Sequence, residues 1–330
     1  MNTIEIANSL KRNPLVSIIV ITYNSSNYVL ETLESAKAQT YQNIELIISD
    51  DCSTDNTVTV CEEWLQKNKD RFVRTQLITV KENTGIPKNC NRGLYAAKGE
   101  WVKLIAGDDA LMANCIKDNI EFVKSDSRIK FCFSDYEAYK DTFEDSNLVN
   151  YKNDSDARSK QFSELNNEFQ LKVMIRNIVL HGPATFYKRN KFLEMGGYDE
   201  SYSFVEDRLT FFNWLKAGNK FYYLPKKTIK YRINDNSITN KNLVNNSYIN
   251  DFFIKFRDLI YEKFYSYFTF KEKVYFHVRY KYYLFFKKDD NLNFFIKVFR
   301  RLWYFLVQKG EKENYNALNK FYKEYKNRKF

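Results

Sequence analysis

Carboxylates recur in this 330-residue sequence in small groups that suit metal and proton chemistry. Asp108 and Asp109 stand together in "LIAGDDAL", Asp50, Asp51 and Asp55 in "DDCSTD", and Glu206 and Asp207 in "SFVEDRL". Paired carboxylates repel a bare phosphate, but a divalent cation reverses the sign. Mg²⁺ or Mn²⁺ is held by one or two carboxylates and completed by substrate phosphates. A separate carboxylate can take the proton of an attacking hydroxyl. Each group also has a plainer reading. Asp109 or Asn114 can cap a helix beginning near Ala113, and Ser53, Thr54 or Asp55 can be the N-cap of the helix after "DDCSTD". Glu206 and Asp207 can simply favour a helix N-terminus, worth ~0.3 to 1 kcal/mol.

The elements that carry these groups follow from periodicity. Apolar, β-branched runs recur as "VSIIVIT", "IELIIS", "RTQLITV" and "WVKLI", at intervals close to the ~30 residues of a βαβ unit. Helical patterns lie between them, with Val29, Leu33 and Ala36 on one face and Val60, Trp64 and Leu65 on the next. The alternation predicts an α/β fold with a mostly parallel, doubly wound sheet. Ligands bind beyond the carboxyl ends of such strands, where the chain reads TYN, DDCSTD, ENTG and AGDD. Tyr23 there offers a flat face for a base, and one carboxylate of "DDCSTD" can accept a base N–H. Lys88 and Arg92 lie on the helix opening at Pro87 and face either solvent or ligand. No GxGxxG follows the first strand and no GxxxxGK[ST] occurs, which excludes the usual dinucleotide and P-loop sites.

Beyond a fifth strand in "IKFCFSDYEAY", residues 140–165 are polar and aperiodic and read as a variable loop or lid. Strand-like "KFYYLP" and "TIKYRI" come later, after a helix opened by Glu206 and Asp207 and closed near Gly218. The chain then changes character. Residues 251–330 hold 19 Lys+Arg against 9 Asp+Glu and 27 of the 57 aromatics, while residues 1–250 are nearly neutral. The division is therefore a first domain over 1–240, with halves about 14–110 and about 111–240, and a basic, aromatic, helical extension over 241–330. In "NFFIKVFRRLWYFLVQK" Phe295, Phe299, Leu302 and Leu306 share a helical side beside Lys297, Arg300 and Arg301. That pattern fits packing on the catalytic domain or lying on an anionic membrane surface. Nucleic acid is not an expected partner, since the tail lacks a recognition motif. Five cysteines without a CxxC pair, and no signal-peptide-like or 18-residue apolar stretch, point to a cytoplasmic protein, peripheral at most on the inner face of the plasma membrane.

The blocks "VSIIVITYNSSNYVLETLESAKAQTYQNIELIISDDCSTDNT", "ENTGIPKNCNRGLYAAKGEWVKLIAGDDAL" and "GGYDESYSFVEDRLTFFNWLKAG" resemble, in order and spacing, those of family 2 glycosyltransferases of the GT-A fold, over roughly residues 14–235. The resemblance implies an inverting glycosyltransferase that moves a sugar from a nucleotide-diphospho-sugar, UDP-sugar foremost, to an acceptor hydroxyl. The setting would be bacterial surface-polysaccharide assembly, with an acceptor that can be lipid-linked and a Mg²⁺ or Mn²⁺ cofactor. Thr22, Tyr23, Asn24 and Asp51 match nucleotide-holding positions, Asp108 and Asp109 the ribose and metal station, and Asp207, beside Glu206, the catalytic base. Two positions depart from the pattern. Ala106 stands where many relatives have a carboxylate, leaving the metal to Asp108 and Asp109, and Asn234 stands near where many have histidine. His181 and Arg232 can each touch donor phosphate or acceptor, or be structural. With only His181 and His277 in the chain, a histidine-rich metal site is excluded. The rival readings are a nucleotidyltransferase, for which "TYNSSNY" lacks the glycine-rich basic loop, and a non-catalytic GT-A scaffold at the membrane.

Overall fold

The four apolar runs form neighbouring strands of one eight-stranded sheet, in the order β3-β2-β1-β4-β7-β6-β8-β5. The computed structural model describes residues 13–149, 155–176, 180–202, 206–234 and 258–285. Strands β1 (Val16–Thr22), β2 (Ile44–Asp50), β3 (Arg74–Ile78) and β4 (Trp101–Ala106) are parallel. Their apolar residues are sealed on both faces by helices α1 (Val29–Lys37), α2 (Thr57–Asn68), α3 (Ile86–Ala96) and α4 (Cys115–Ser125). Ile18, Ile19, Val20, Leu46, Ile47 and Ile48 are wholly buried, as strands covered on both sides must be.

The second half of the sheet is mixed. β6 (Phe131–Lys140) runs parallel to β8 (Tyr222–Ile233), while β7 (Thr185–Lys188) is antiparallel to both β4 and β6. The short β5 (Ala110–Leu111), directly after the aspartate pair, joins β8 antiparallel. Four of the seven pairings are thus parallel. The two strand-like segments "KFYYLP" and "TIKYRI" are one strand, β8, which spans Pro225 through register shifts opposite Ser134–Tyr136. A bulge is where a strand tolerates proline, which has no N–H to give the ladder.

The segment read as a lid contains helix α5 (Ser155–Glu164). Its pattern is too polar to announce itself, and it is fixed by tertiary packing: Phe162 is fully buried against Phe133 and Phe221. Two short helices, α6 (Asn167–Met174) and α7 (Arg189–Glu194), flank the segment leading into β7 and the glycine turn after it. Helix α8 (Glu206–Lys216) buries Leu209, Phe211, Phe212, Trp214 and Leu215.

The chain divides into two compact units, residues 1–167 with 179–233, and residues 168–178 with 234–330. The first contains the whole sheet. In the second, helix α9 (Phe270–Phe285) opens with a reciprocal cap: Glu272 accepts the Thr269 N–H at 2.7 Å and donates its own N–H to Thr269 Oγ1. Glu272 also forms a buried two-pronged pair with Arg176. The amphipathic stretch 293–309 lies outside the described residues.

Candidate active site

The loops at the ends of β1 and β2 are bound to each other, leaving few polar groups idle. Thr22, the register partner of Asp50, donates its hydroxyl to Asp50 at 2.8 Å. Asp50 also accepts the Ser53 N–H and hydroxyl. Asn24 has a left-handed backbone, φ 51°, and its amide oxygen accepts the Thr54 N–H at 2.8 Å while its own N–H reaches Ser53 Oγ. Asparagine adopts this conformation more readily than other side chains. Cys52 is left-handed as well, φ 67°, so two opposed loops share a constrained geometry. Tyr23, 49% exposed, is the large aromatic side chain that these loops leave open as a stacking face.

Asp51 is buried and accepts four protein donors. These are Thr84 N–H at 3.0 Å, Thr84 Oγ1 at 2.6 Å, Gly85 N–H at 2.7 Å and the Arg92 guanidinium at 3.0 Å. It therefore anchors the "ENTG" loop, where Gly85 takes φ 88° to start α3. A ligand N–H can reach this carboxylate only by displacing one of those donors. Arg92 turns inward, also contacting Thr84 Oγ1 and Asn89, whereas Lys88 is exposed at the start of α3.

Asp108 and Asp109 follow β4 in a tight turn and have different surroundings. Asp109 is 2% exposed; its carboxylate accepts the Arg232 N–H at 2.9 Å and its carbonyl the Thr32 hydroxyl at 2.6 Å. Asp108 is half-buried; its carboxylate has its own backbone N–H and the charge of Arg232 nearby, and among the described residues no other side chain hydrogen-bonds or ion-pairs with it. Burial pushes both carboxyls above the ordinary range, and for Asp109 the neighbouring Asp108 adds to the effect. Two adjacent desolvated carboxylates, one open to ligand, are what a divalent cation would relieve. Among the described residues no group of three or more His, Cys, Asp or Glu could hold a metal alone. The donor set therefore fits an ion whose remaining positions come from phosphate and water.

Arg232 is the clamp of this turn, buried among protein partners. Its Nε donates to the Asp108 carbonyl at 2.8 Å, and its other nitrogens reach the Asp141 carbonyl and Glu31. The guanidinium lies over the rings of Phe143 at 4.0 Å and Tyr28 at 4.8 Å and is 3% exposed.

Glu206 and Asp207 open α8. Asp207 accepts no hydrogen bond among the described residues, and burial lifts its carboxyl to about 6. It is seated against Gly182: a Cβ there would lie 2.7 Å from Asp207 Cγ. Next to Gly182, the His181 imidazole stacks on Tyr136 at 4.4 Å and meets Tyr231 edge-on at 4.5 Å, with its Nδ1 buried and unpartnered. Burial, and then the charge of Lys103, lower its pKa to about 4, so the ring is neutral. The buried Cys90 thiol, raised by burial, feels the charges of Glu206, Asp207 and Asp51. Lys103, which interrupts the apolar run of β4, is the site-proximal residue that sequence reasoning passed over.

Known proteins place this arrangement. Residues 17–194, more than half of the chain, match the family described as glycosyl transferase family 2. An uncharacterized glycosyltransferase of Rickettsia typhi is 29% identical over 232 residues, covering 69% of this chain and 67% of its own. The Escherichia coli UDP-Glc:alpha-D-GlcNAc-diphosphoundecaprenol beta-1,3-glucosyltransferase WfaP is 36% identical over 129 residues, covering 38% of this chain and 48% of WfaP. The chain thus spans about two thirds of the first relative and about half of the second. Among solved structures, S. aureus TarS 1-349 in complex with UDP-GlcNAc matches 94% of this chain and 91% of its own with a TM-score of 0.57 at 17% identity. The mannosyltransferase PcManGT from Pyrobaculum calidifontis, in complex with GDP-Man and Mn²⁺, matches 67% and 57% with a TM-score of 0.53 at 20% identity. Sheet order, the loops at the strand ends and the family match agree: this chain belongs to glycosyl transferase family 2 and has the GT-A fold.

Proposed function

We propose that the protein is an inverting, metal-dependent glycosyltransferase that uses a UDP-sugar and a saccharide acceptor. The observation that carries this reading is Asp207: a half-buried carboxyl raised to about 6 by desolvation, which accepts no hydrogen bond among the described residues and is seated against Gly182. A base with a pKa near working pH suits proton abstraction. Asp207 would take the proton of the acceptor hydroxyl as that oxygen attacks the anomeric carbon, and a single displacement inverts its configuration. Tyr23 would stack the base, while Asn24, Thr22 and Asp51 shape the loops beneath it. Asp108, with Asp109 behind it, would hold Mg²⁺ or Mn²⁺, which supplies Lewis-acid stabilisation of the diphosphate leaving group. The UDP-linked names of WfaP and the TarS complex, and the Mn²⁺ in the PcManGT complex, support the donor and cofactor.

The acceptor is read as lipid-linked, as in the name of WfaP, and the protein as peripheral on the inner membrane face. No described helix is long and apolar enough to cross a membrane. What supports surface binding is α9, whose exposed stripe runs through Phe270, Val274, His277 and Lys281 within the strongly basic last quarter. Calorimetric titration of UDP with and without Mn²⁺ tests the site. A donor panel, read as release of UDP or GDP with a lipid extract as acceptor, tests the reaction. No metal-dependent nucleotide binding would leave a non-catalytic scaffold instead.

A further inference from the structure

We infer that Lys103 is a positioning residue for transfer: its buried ammonium pins the turn 181–185 to β4, and Gly182 of that turn fixes where the Asp207 carboxylate stands. The inference rests on Asp207 being the base of the reaction proposed above.

Lys103 is 0% exposed, in the middle of β4. Its Nζ donates to the Pro183 carbonyl at 2.7 Å and the Thr185 carbonyl at 3.1 Å, and no carboxylate lies within ion-pair distance among the described residues. A buried ammonium without a counter-ion is costly, and an apolar side chain would fill this place without that penalty. What the lysine supplies is visible in the turn. Every carbonyl from 181 to 185 has a donor: His181 takes Ala184 N–H, Gly182 takes Thr185 Oγ1, Ala184 takes Ser134 Oγ, and Pro183 and Thr185 both take Lys103. One side chain thus holds two of five anchor points.

The turn matters because of what abuts it. The hydrogen of Gly182 is all that the Asp207 carboxylate leaves room for, since a Cβ would fall 2.8 Å from Oδ1 and 2.7 Å from Cγ. Movement of the turn therefore moves the base, or opens its seat to water. Misplacing a catalytic group by about 1 Å costs on the order of 10²-fold in rate.

The test uses the full-length protein with Lys103→Met and Gly182→Ala. UDP binding with Mn²⁺ is measured by calorimetry, and turnover as nucleoside diphosphate release from the donor the panel selects. The expected result is a split: UDP affinity within about threefold of the parent, and kcat lower by about 10²-fold in both variants. In Gly182→Ala the acid limb of kcat/KM should also move below pH 6 as the carboxylate is displaced toward water, a change that mere loss of folded protein cannot produce. Turnover of Lys103→Met near the parent rate, or UDP affinity falling in parallel with turnover, overturns the inference. Should Lys103→Met fail to fold, Gly182→Ala decides, because retained turnover there removes the seat. Failure of the parent protein to bind UDP or GDP overturns the donor reading instead.

Discussion

Asp51, which is buried, and Asp207, which is half-buried, are carboxylates held by opposite means. Asp51 is surrounded by four donors and ties together the "DDCSTD" loop, the "ENTG" loop and α3. Asp207 is desolvated and accepts no hydrogen bond among the described residues, and its carboxyl is lifted toward neutrality. A carboxylate whose lone pairs are all taken organises structure; one left without partners in a dry seat is primed to accept a proton. The loops around Asp51 are thus prearranged by saturation, and the carboxyl of Asp207 is tuned by the lack of it.

The sharpest way to break this contrast is at the base. Asp207→Asn should lower turnover by roughly 10²- to 10⁴-fold while UDP binding with Mn²⁺ is retained; turnover near the parent rate would show that the base lies elsewhere. Asp51→Ala should do the reverse, losing about 3 kcal/mol of stability in urea unfolding because Arg92 and the loop N–H groups lose their acceptor, with a matching loss of UDP affinity. Asp108→Asn should remove the Mn²⁺ dependence of UDP binding and reduce turnover by roughly 100-fold.

The pH dependence of stability separates the two carboxylates further. Asp207 is held near 6 against an ordinary 3.8, so between those values the folded chain keeps a proton that the unfolded chain releases. The protonated group's contribution is complete below about pH 4 and is lost as pH rises through 6. Asp207→Asn should therefore be more stable than the parent at pH 7.5, with the difference fading toward pH 4, and kcat/KM of the parent should fall as pH drops through about 6. The smallest effect belongs to Lys88→Ala: the side chain is exposed, and its loss should weaken donor affinity by no more than about fivefold.

The strands and the four loops at their ends were legible because a strand covered on both faces must be apolar throughout, and the residues after it must be polar. What sequence could not reveal was which polar group satisfies which. "DDCSTD" does not say that Asp51 is saturated from Thr84 and Gly85, because those partners lie on another loop. "YRI" does not say that Arg232 binds the Asp108 carbonyl and the Asp109 carboxylate, since the contacts span more than a hundred residues of chain. Helix α5 was hidden for a related reason, its place being set by the tertiary burial of one phenylalanine. Lys103 did leave a signal, a charge inside an apolar strand, which a count of apolar residues averages away.

The stacking of His181 between Tyr136 and Tyr231 has a spectroscopic consequence. The chain contains two histidines, one in each compact unit, so its imidazole spectrum holds two sets of signals. Ring currents from the two tyrosines displace the His181 resonances from those of an exposed imidazole, and the exposed His277 supplies the reference. The protein carries its own magnetic label a single residue from the seat of Asp207, and ligand binding near that carboxylate can be followed there without chemical modification.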